Sequence, residues 1–317
     1  MLVALAAALW GTDALFRKPL ADTTPVATIV FGEHLVLFAV TLPLLLPALV
    51  AVIGLGRRYV LAAVTIGAGA SALATILFTQ AFVDSANPVT PVVLQKVQPL
   101  VAVVGAWFIL RERPRPLFGL YLAGGLVGTW LMAFPSPTSN IFEDWNATVK
   151  PVLFALGAAC LWAFGTVLGR YLMRRMRFEH VTTLRFAFGL PASALALLVL
   201  GEPAFTTAND FLWITVLALV TGAVAVSLYY YGLRTTPAVA ATLAELAFPV
   251  TAALVGYFAF DATAGFILLL ILRWLTDLSL LPNARIAEEV ARDRNVNAGL
   301  IEGAIAVGIA ALILFVF

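Results

Sequence analysis

Eight ionisable side chains sit inside long apolar runs of this chain: Asp13, Arg17, Lys18, Glu33, His34, Lys96, Arg185 and Glu245. In a hydrocarbon solvent each costs roughly 2.5–3.5 kcal/mol on insertion scales, so such groups turn to the protein interior and mark paths for polar solutes. The chemistry they offer is charge recognition. Lys96 can hold a carboxylate, and Glu245 can hold an ammonium or a proton. His34 is a candidate proton carrier, because a free imidazole titrates near pH ~6.5. Structural roles compete with each of these. Asp13 and Arg17, four residues apart, can neutralise each other on one helix. Lys96 can pair with Glu33, and His34 can be a hydrogen-bonded core residue. Arg17, Lys18 and Arg185 lie near enough to segment ends to snorkel to the surface.

Neighbouring residues extend the candidate site. Gln95 and Gln98 flank Lys96, and Pro99 and Pro249 follow Gln95 and Glu245 by four positions each. A proline removes a backbone donor and frees a carbonyl about one turn earlier. Near a cavity that gives a hinge or a substrate contact. Trp10, Trp162 and Tyr230 bring aromatic surface, although interfacial anchoring is an equal alternative for the run Tyr229, Tyr230, Tyr231. An aromatic cavity with both charge signs suits a zwitterion with an apolar side chain.

The elements that must hold these groups follow from composition. Of the 317 residues 62% are hydrophobic and 11% charged, against about 25% charged in soluble domains. Lipid is therefore the solvent. Segments of spanning length, about 20 apolar residues, run over 2–20, 26–53, 59–82, 89–110, 117–135, 152–170, 181–200, 211–232, 238–259, 264–281 and 298–317. Arg273 and Asp277 weaken the tenth, so the expected fold is an all-α integral membrane protein with 10–11 transmembrane helices. The first segment lacks the charged start of a signal peptide and carries Trp10 and Asp13, so it reads as a span. Its abrupt start predicts a short cytoplasmic lead before Met1. With the N-terminus in the cytoplasm, 13 of the 19 basic residues face that side, including Arg57, Arg58, Arg111, Arg170 and Arg174. The positive-inside bias thus predicts a multi-pass protein of a bacterial inner membrane.

Several classes are excluded. Cys160 is the only cysteine, which rules out a disulfide framework or a cysteine metal site. Two histidines, with no His-Glu-x-x-His, Gly-x-Ser-x-Gly or phosphate loop, argue against an enzyme. No basic stripe suits a nucleic acid. No cofactor and no metal are expected. The partners expected are the lipid bilayer and a small-molecule substrate, with a proton as candidate co-substrate. Gly124 and Gly128 form a close-packing pair that suits an internal contact or a homodimer equally, so monomer and homodimer stay open.

The chain also repeats itself. An offset of 152 pairs Trp10 with Trp162, Lys18 with Arg170 and Glu33 with Arg185, and an offset of 150 pairs Gln95 with Glu245 and Pro99 with Pro249. Two halves of five spans each, an odd number, lie in opposite orientations, which is the inverted-repeat arrangement of many transporters. The expected organisation is a first repeat over 1–135, an outer connector over 136–150, a second repeat over 151–263 and an atypical membrane segment over 264–317.

Ala-Leu-Trp-Gly around Trp10, Gln80-Ala81-Phe82 before Asn87-Pro88, and Leu94-Gln95-Lys96-Val97-Gln98-Pro99 resemble the EamA family of the drug/metabolite transporter superfamily. Leu110-Arg111-Glu112-Arg113 resembles its Leu-Gly-Glu-Arg signature, and Tyr230-Tyr231-Gly232-Leu233 with Ala244-Glu245-Leu246-Ala247-Phe248-Pro249 repeats the theme. Glu33-His34-Leu35 looks most like the amino-acid exporter subgroup. Gln80, in the second motif, joins the candidate substrate contacts. The resemblance covers about residues 1–260; the last part resembles a small bacterial membrane family of unknown function. It implies a secondary transporter that exports a small metabolite, amino acids or similar zwitterions, by alternating access. The alternative is a non-transporting membrane scaffold or an engineered fusion that retains the exporter fold.

Overall fold

The computed structural model describes residues 1–85, 91, 94–111, 149–236, 241, 244, 245, 247, 248, 251, 255 and 259, apart from the side chains of Lys96 and Pro99. These residues are helical throughout, apart from turns. In chain order they form α1 (Leu2–Gly11), α2 (Asp13–Ala21), α3 (Val26–Leu55), α4 (Arg57–Asp84), α5 (Gln98–Gly105), α6 (Lys150–Met173), α7 (Phe178–Leu200) and α8 (Ala208–Leu233). Five of them, α3, α4, α6, α7 and α8, are long and apolar enough to cross a membrane. The expected spans over 117–135, 264–281 and 298–317, and the connector 136–148, lie outside the described residues.

The first expected span is not one helix. It breaks at Thr12, whose N–H and hydroxyl both bond to the Leu9 carbonyl, at 3.1 and 2.7 Å. A closure onto the third residue back, in place of the fourth, tightens the turn and ends α1. Segment four narrows in the same way: a 3-10 turn over Gln95–Val97 precedes α5. Pro99 then stands in the first turn of α5, where a missing N–H is tolerated.

Three stretches open instead into wide π turns: Thr65–Leu73 within α4, Ala106–Leu110 after α5, and Ala218–Val224 within α8. Those of α4 and α8 begin 153 positions apart, and α3 and α7 begin 152 positions apart. Packing follows the same offset. The α1 helix packs on α8 as α6 packs on α4, α3 packs on the wide turn of α8 as α7 packs on that of α4, and α3 meets α7. Exchanging α1 with α6, α3 with α7 and α4 with α8 therefore maps these contacts onto one another.

Bonds across the halves close one end of the bundle. Gly201, at a left-handed φ of 67°, ends α7 and turns the chain toward α3. The Glu202 carboxylate then accepts the Ala27 N–H at 2.7 Å, at the open N-terminus of α3. Thr28 donates to the Pro203 carbonyl at 2.5 Å. Lys150 and Asp84 form an ion pair of 2.9 Å between the start of α6 and the end of α4.

Candidate functional site

A cavity of about 190 Å³ lies among the helices, lined by side chains from Trp10 to Phe248. Three polar clusters face it. The first is built on α2 and α3. Arg17 and Asp13 are one turn apart on α2, and Arg17 Nε and Nη2 reach the Asp13 carboxylate at 2.5 and 2.9 Å. Glu33, on α3, receives the remaining face of the fork, with Nη2 to Oε1 at 2.7 Å and Nη1 to Oε2 at 3.4 Å. One guanidinium thus serves two carboxylates. Thr221, in the wide turn of α8, adds a 3.3 Å hydroxyl bond to Asp13, and its carbonyl accepts the Trp10 indole N–H at 2.8 Å.

The second cluster joins α3, α4 and α7. His34 Nδ1 lies 2.8 Å from the Val30 carbonyl, which only accepts, so this nitrogen carries the proton. Nε2 is then the acceptor for the Ser71 hydroxyl at 3.0 Å, and Ser71 Oγ accepts from Arg185 Nε at 3.2 Å. Donor and acceptor match at every link. Arg185 also donates to the Tyr230 hydroxyl at 3.2 Å and the Ala70 carbonyl at 3.1 Å. The histidine fits because α7 offers Gly189 beneath it: a Cβ there would collide with the ring carbon Cδ2.

The third cluster surrounds Glu245, which is 8% exposed. Tyr229 donates to Oε1 at 2.7 Å, Gln98 donates to Oε2, and Thr166 lies 2.6 Å from the Tyr229 hydroxyl. Beside it the buried Gln95 Oε1 has no hydrogen-bond partner among the described residues. Aromatic rings complete the wall: Trp10 leans on Tyr229 at 5.1 Å and Trp162 on Phe78 at 5.2 Å between centroids. The arrangement offers both charge signs, amide and hydroxyl groups, and flat apolar surface in one chamber. Among the described residues no group of histidine, cysteine and carboxylate side chains could hold a metal ion.

Residues 149–272 match the EamA-like transporter family. Over 272 residues the chain is 27% identical to a riboflavin transporter of Fusobacterium nucleatum, covering 81% of this chain and 88% of that one. The chain therefore carries an EamA-like transporter domain over residues 149–272. It is also 28% identical over 182 residues to an uncharacterised transporter of Bacillus subtilis, covering 57% of this chain and 60% of that one. A solved crystal structure resembles the fold with a TM-score of 0.58 at 20% identity, covering 99% of this chain and 97% of that one.

The residues singled out by sequence divide by position. Trp10, Glu33, His34, Gln95, Gln98, Trp162, Arg185 and Glu245 line the cavity. Gln80 does not; it bonds Asp84 on its own helix at 2.7 Å. Tyr230 is wholly buried behind the wall, where its ring meets Gly169, and its neighbour Tyr229 takes the cavity face. Tyr231 points out, with the Arg234 guanidinium 4.9 Å from its ring. The side chains of Lys96 and Pro99, and all of Pro249, lie outside the described residues.

Two alternatives resolve. Arg17 is buried at 7% exposure and does not snorkel, because its partners Asp13 and Glu33 lie inside. Glu33 has Arg17 as its charge partner among the described residues. Sequence reading missed Ser71, Thr166 and Thr221 as cavity residues. Thr166 had a signal: it stands one turn after Trp162 on the same face.

Proposed function

We propose that this EamA-like protein is a secondary transporter that exports a small zwitterionic metabolite, amino acids being the class that fits best. The reading takes the two halves as inverted repeats, with the N-terminus in the cytoplasm, that rock about the cavity and open it to each side in turn. The observation that carries it is the Glu245 cradle. A buried carboxylate that accepts from Tyr229 and Gln98 lines the cavity, and a carboxylate in that position suits recognition of an ammonium or a proton. The aromatic wall then bounds an apolar side chain. The narrowed turn before Pro99 supports a hinge in the first half, and the 152-residue offset of helix starts supports the repeat.

The test is flux from proteoliposomes loaded with labelled leucine, phenylalanine and threonine. Efflux above empty vesicles that falls at least tenfold in Glu245→Gln is expected. A folded protein that moves none of them overturns the reading. A second reading draws on the same rings. Trp10, Tyr229, Trp162 and Phe78 suit a planar heterocycle, and one relative is named a riboflavin transporter. Riboflavin in the same assay decides between the two.

A further inference from the structure

We infer that Arg185 is the anion subsite of the cavity, the group that takes the carboxylate of the transported solute. The inference rests on the transport reading above and adds which end of the solute goes where.

The two guanidinium groups on the cavity wall, the buried Arg17 and the half-buried Arg185, are in opposite states. Arg17 makes four bonds to two carboxylates, so its charge is more than matched. Arg185 bonds only to neutral oxygens, those of Ser71, Tyr230 and Ala70. No carboxylate lies within ion-pair distance of it among the described residues. A guanidinium carries five N–H donors. Three are placed by these bonds, which leaves one on Nη1 and one on Nη2. That is the number a bidentate carboxylate needs, and such charge-assisted pairs are about twice as strong as neutral ones.

The support is rigid. Ser71 is held by His34, which is held by the Val30 carbonyl and seated on Gly189. Tyr230 is fully buried, so the hydroxyl that accepts from Nη1 does not wander. Arg185 is therefore preorganised by groups that fix its direction without neutralising it. A half-buried cation held only by neutral oxygens gains a charge-assisted pair when an anion arrives.

The test compares acids with their amides. Labelled phenylalanine flux is competed with unlabelled phenylalanine and with phenylalaninamide, in the wild type and in Arg185→Gln and Arg185→Lys. The amide is expected to compete at least tenfold less well in the wild type, and Arg185→Gln is expected to lose both the flux and that preference. Arg185→Lys keeps the charge without the fork and should retain part of the preference. Flux that the amide inhibits as strongly as the acid overturns the Arg185 assignment and leaves the transport reading intact. If no amino acid is moved, the transport reading fails, and thermal stabilisation of the detergent-solubilised wild type decides the subsite. Stabilisation by the acid and not the amide keeps it; equal or absent stabilisation overturns it.

Discussion

Tyr229 and Glu245 stand sixteen residues apart in the chain and 2.7 Å apart in space, the phenol donating to a buried carboxylate. The hydroxyl makes a second short contact, to Thr166 on α6, so it links α6 and α8 to one acidic group. Losing it strips Glu245 of a neutral donor without touching its charge. Tyr229→Phe should lower flux by about tenfold or more, from about 1.5–3 kcal/mol for one hydrogen bond to a charged group. Added to Glu245→Gln it should have little further effect, since both changes act on one bond. Initial efflux rates of the two single variants and the double variant check this.

The Arg17 group should behave as a unit. Arg17→Gln leaves Asp13 and Glu33 facing each other in the interior, and breaking a buried ion pair on one side costs about 3–5 kcal/mol. The neutral triple Asp13→Asn, Arg17→Gln, Glu33→Gln removes the imbalance and should recover most of that loss. Thermal unfolding followed by fluorescence-detected size exclusion reads the order: wild type and triple variant above Arg17→Gln.

A methyl group at Gly189 would enter the space of His34 Cδ2. Overpacking of this kind costs about 1–3 kcal/mol. Gly189→Ala should therefore lower the melting temperature, and His34→Ala in the same chain should recover part of the loss by making room. Additive losses would mean that the ring is not the obstacle.

Magnitudes rank the two links at the closed end. Glu202 serves an open helix N-terminus, and the loss of such a cap costs about 0.5–2 kcal/mol. Lys150 is 37% exposed in its pair with Asp84, and exposed pairs contribute about 0–1 kcal/mol. Glu202→Ala should then destabilise more than Lys150→Ala in the same unfolding assay, and raised salt should shrink only the second effect.

How far the sequence reached depends on what kind of contact made the site. Charges stranded in apolar runs are legible one by one, which is why Glu33, His34, Arg185 and Glu245 stand out from the linear chain alone. Their partners are legible only when local. Asp13 and Arg17 share a helix at four-residue spacing, but the bond from Arg17 to Glu33 crosses from α2 to α3 and leaves no trace in periodicity. The choice between Tyr229 and Tyr230 is not legible for a different reason. The wide turn at Ala218–Val224 adds a residue to one turn of α8 and rotates everything after it by about 100°. A regular 3.6-residue count therefore loses phase just before the tyrosines. Thr12 hides in the same way, since a closure three residues back has no sequence mark beyond a hydroxyl.

The wide turn in α8 also changes what Trp10 is for. Its indole N–H donates to the main-chain oxygen of Thr221, inside that turn, at 2.8 Å. The ring is thus a backbone partner as well as a wall. Phenylalanine would reproduce the flat surface and lose that bond, so a shape-preserving exchange at this position is not a mild one.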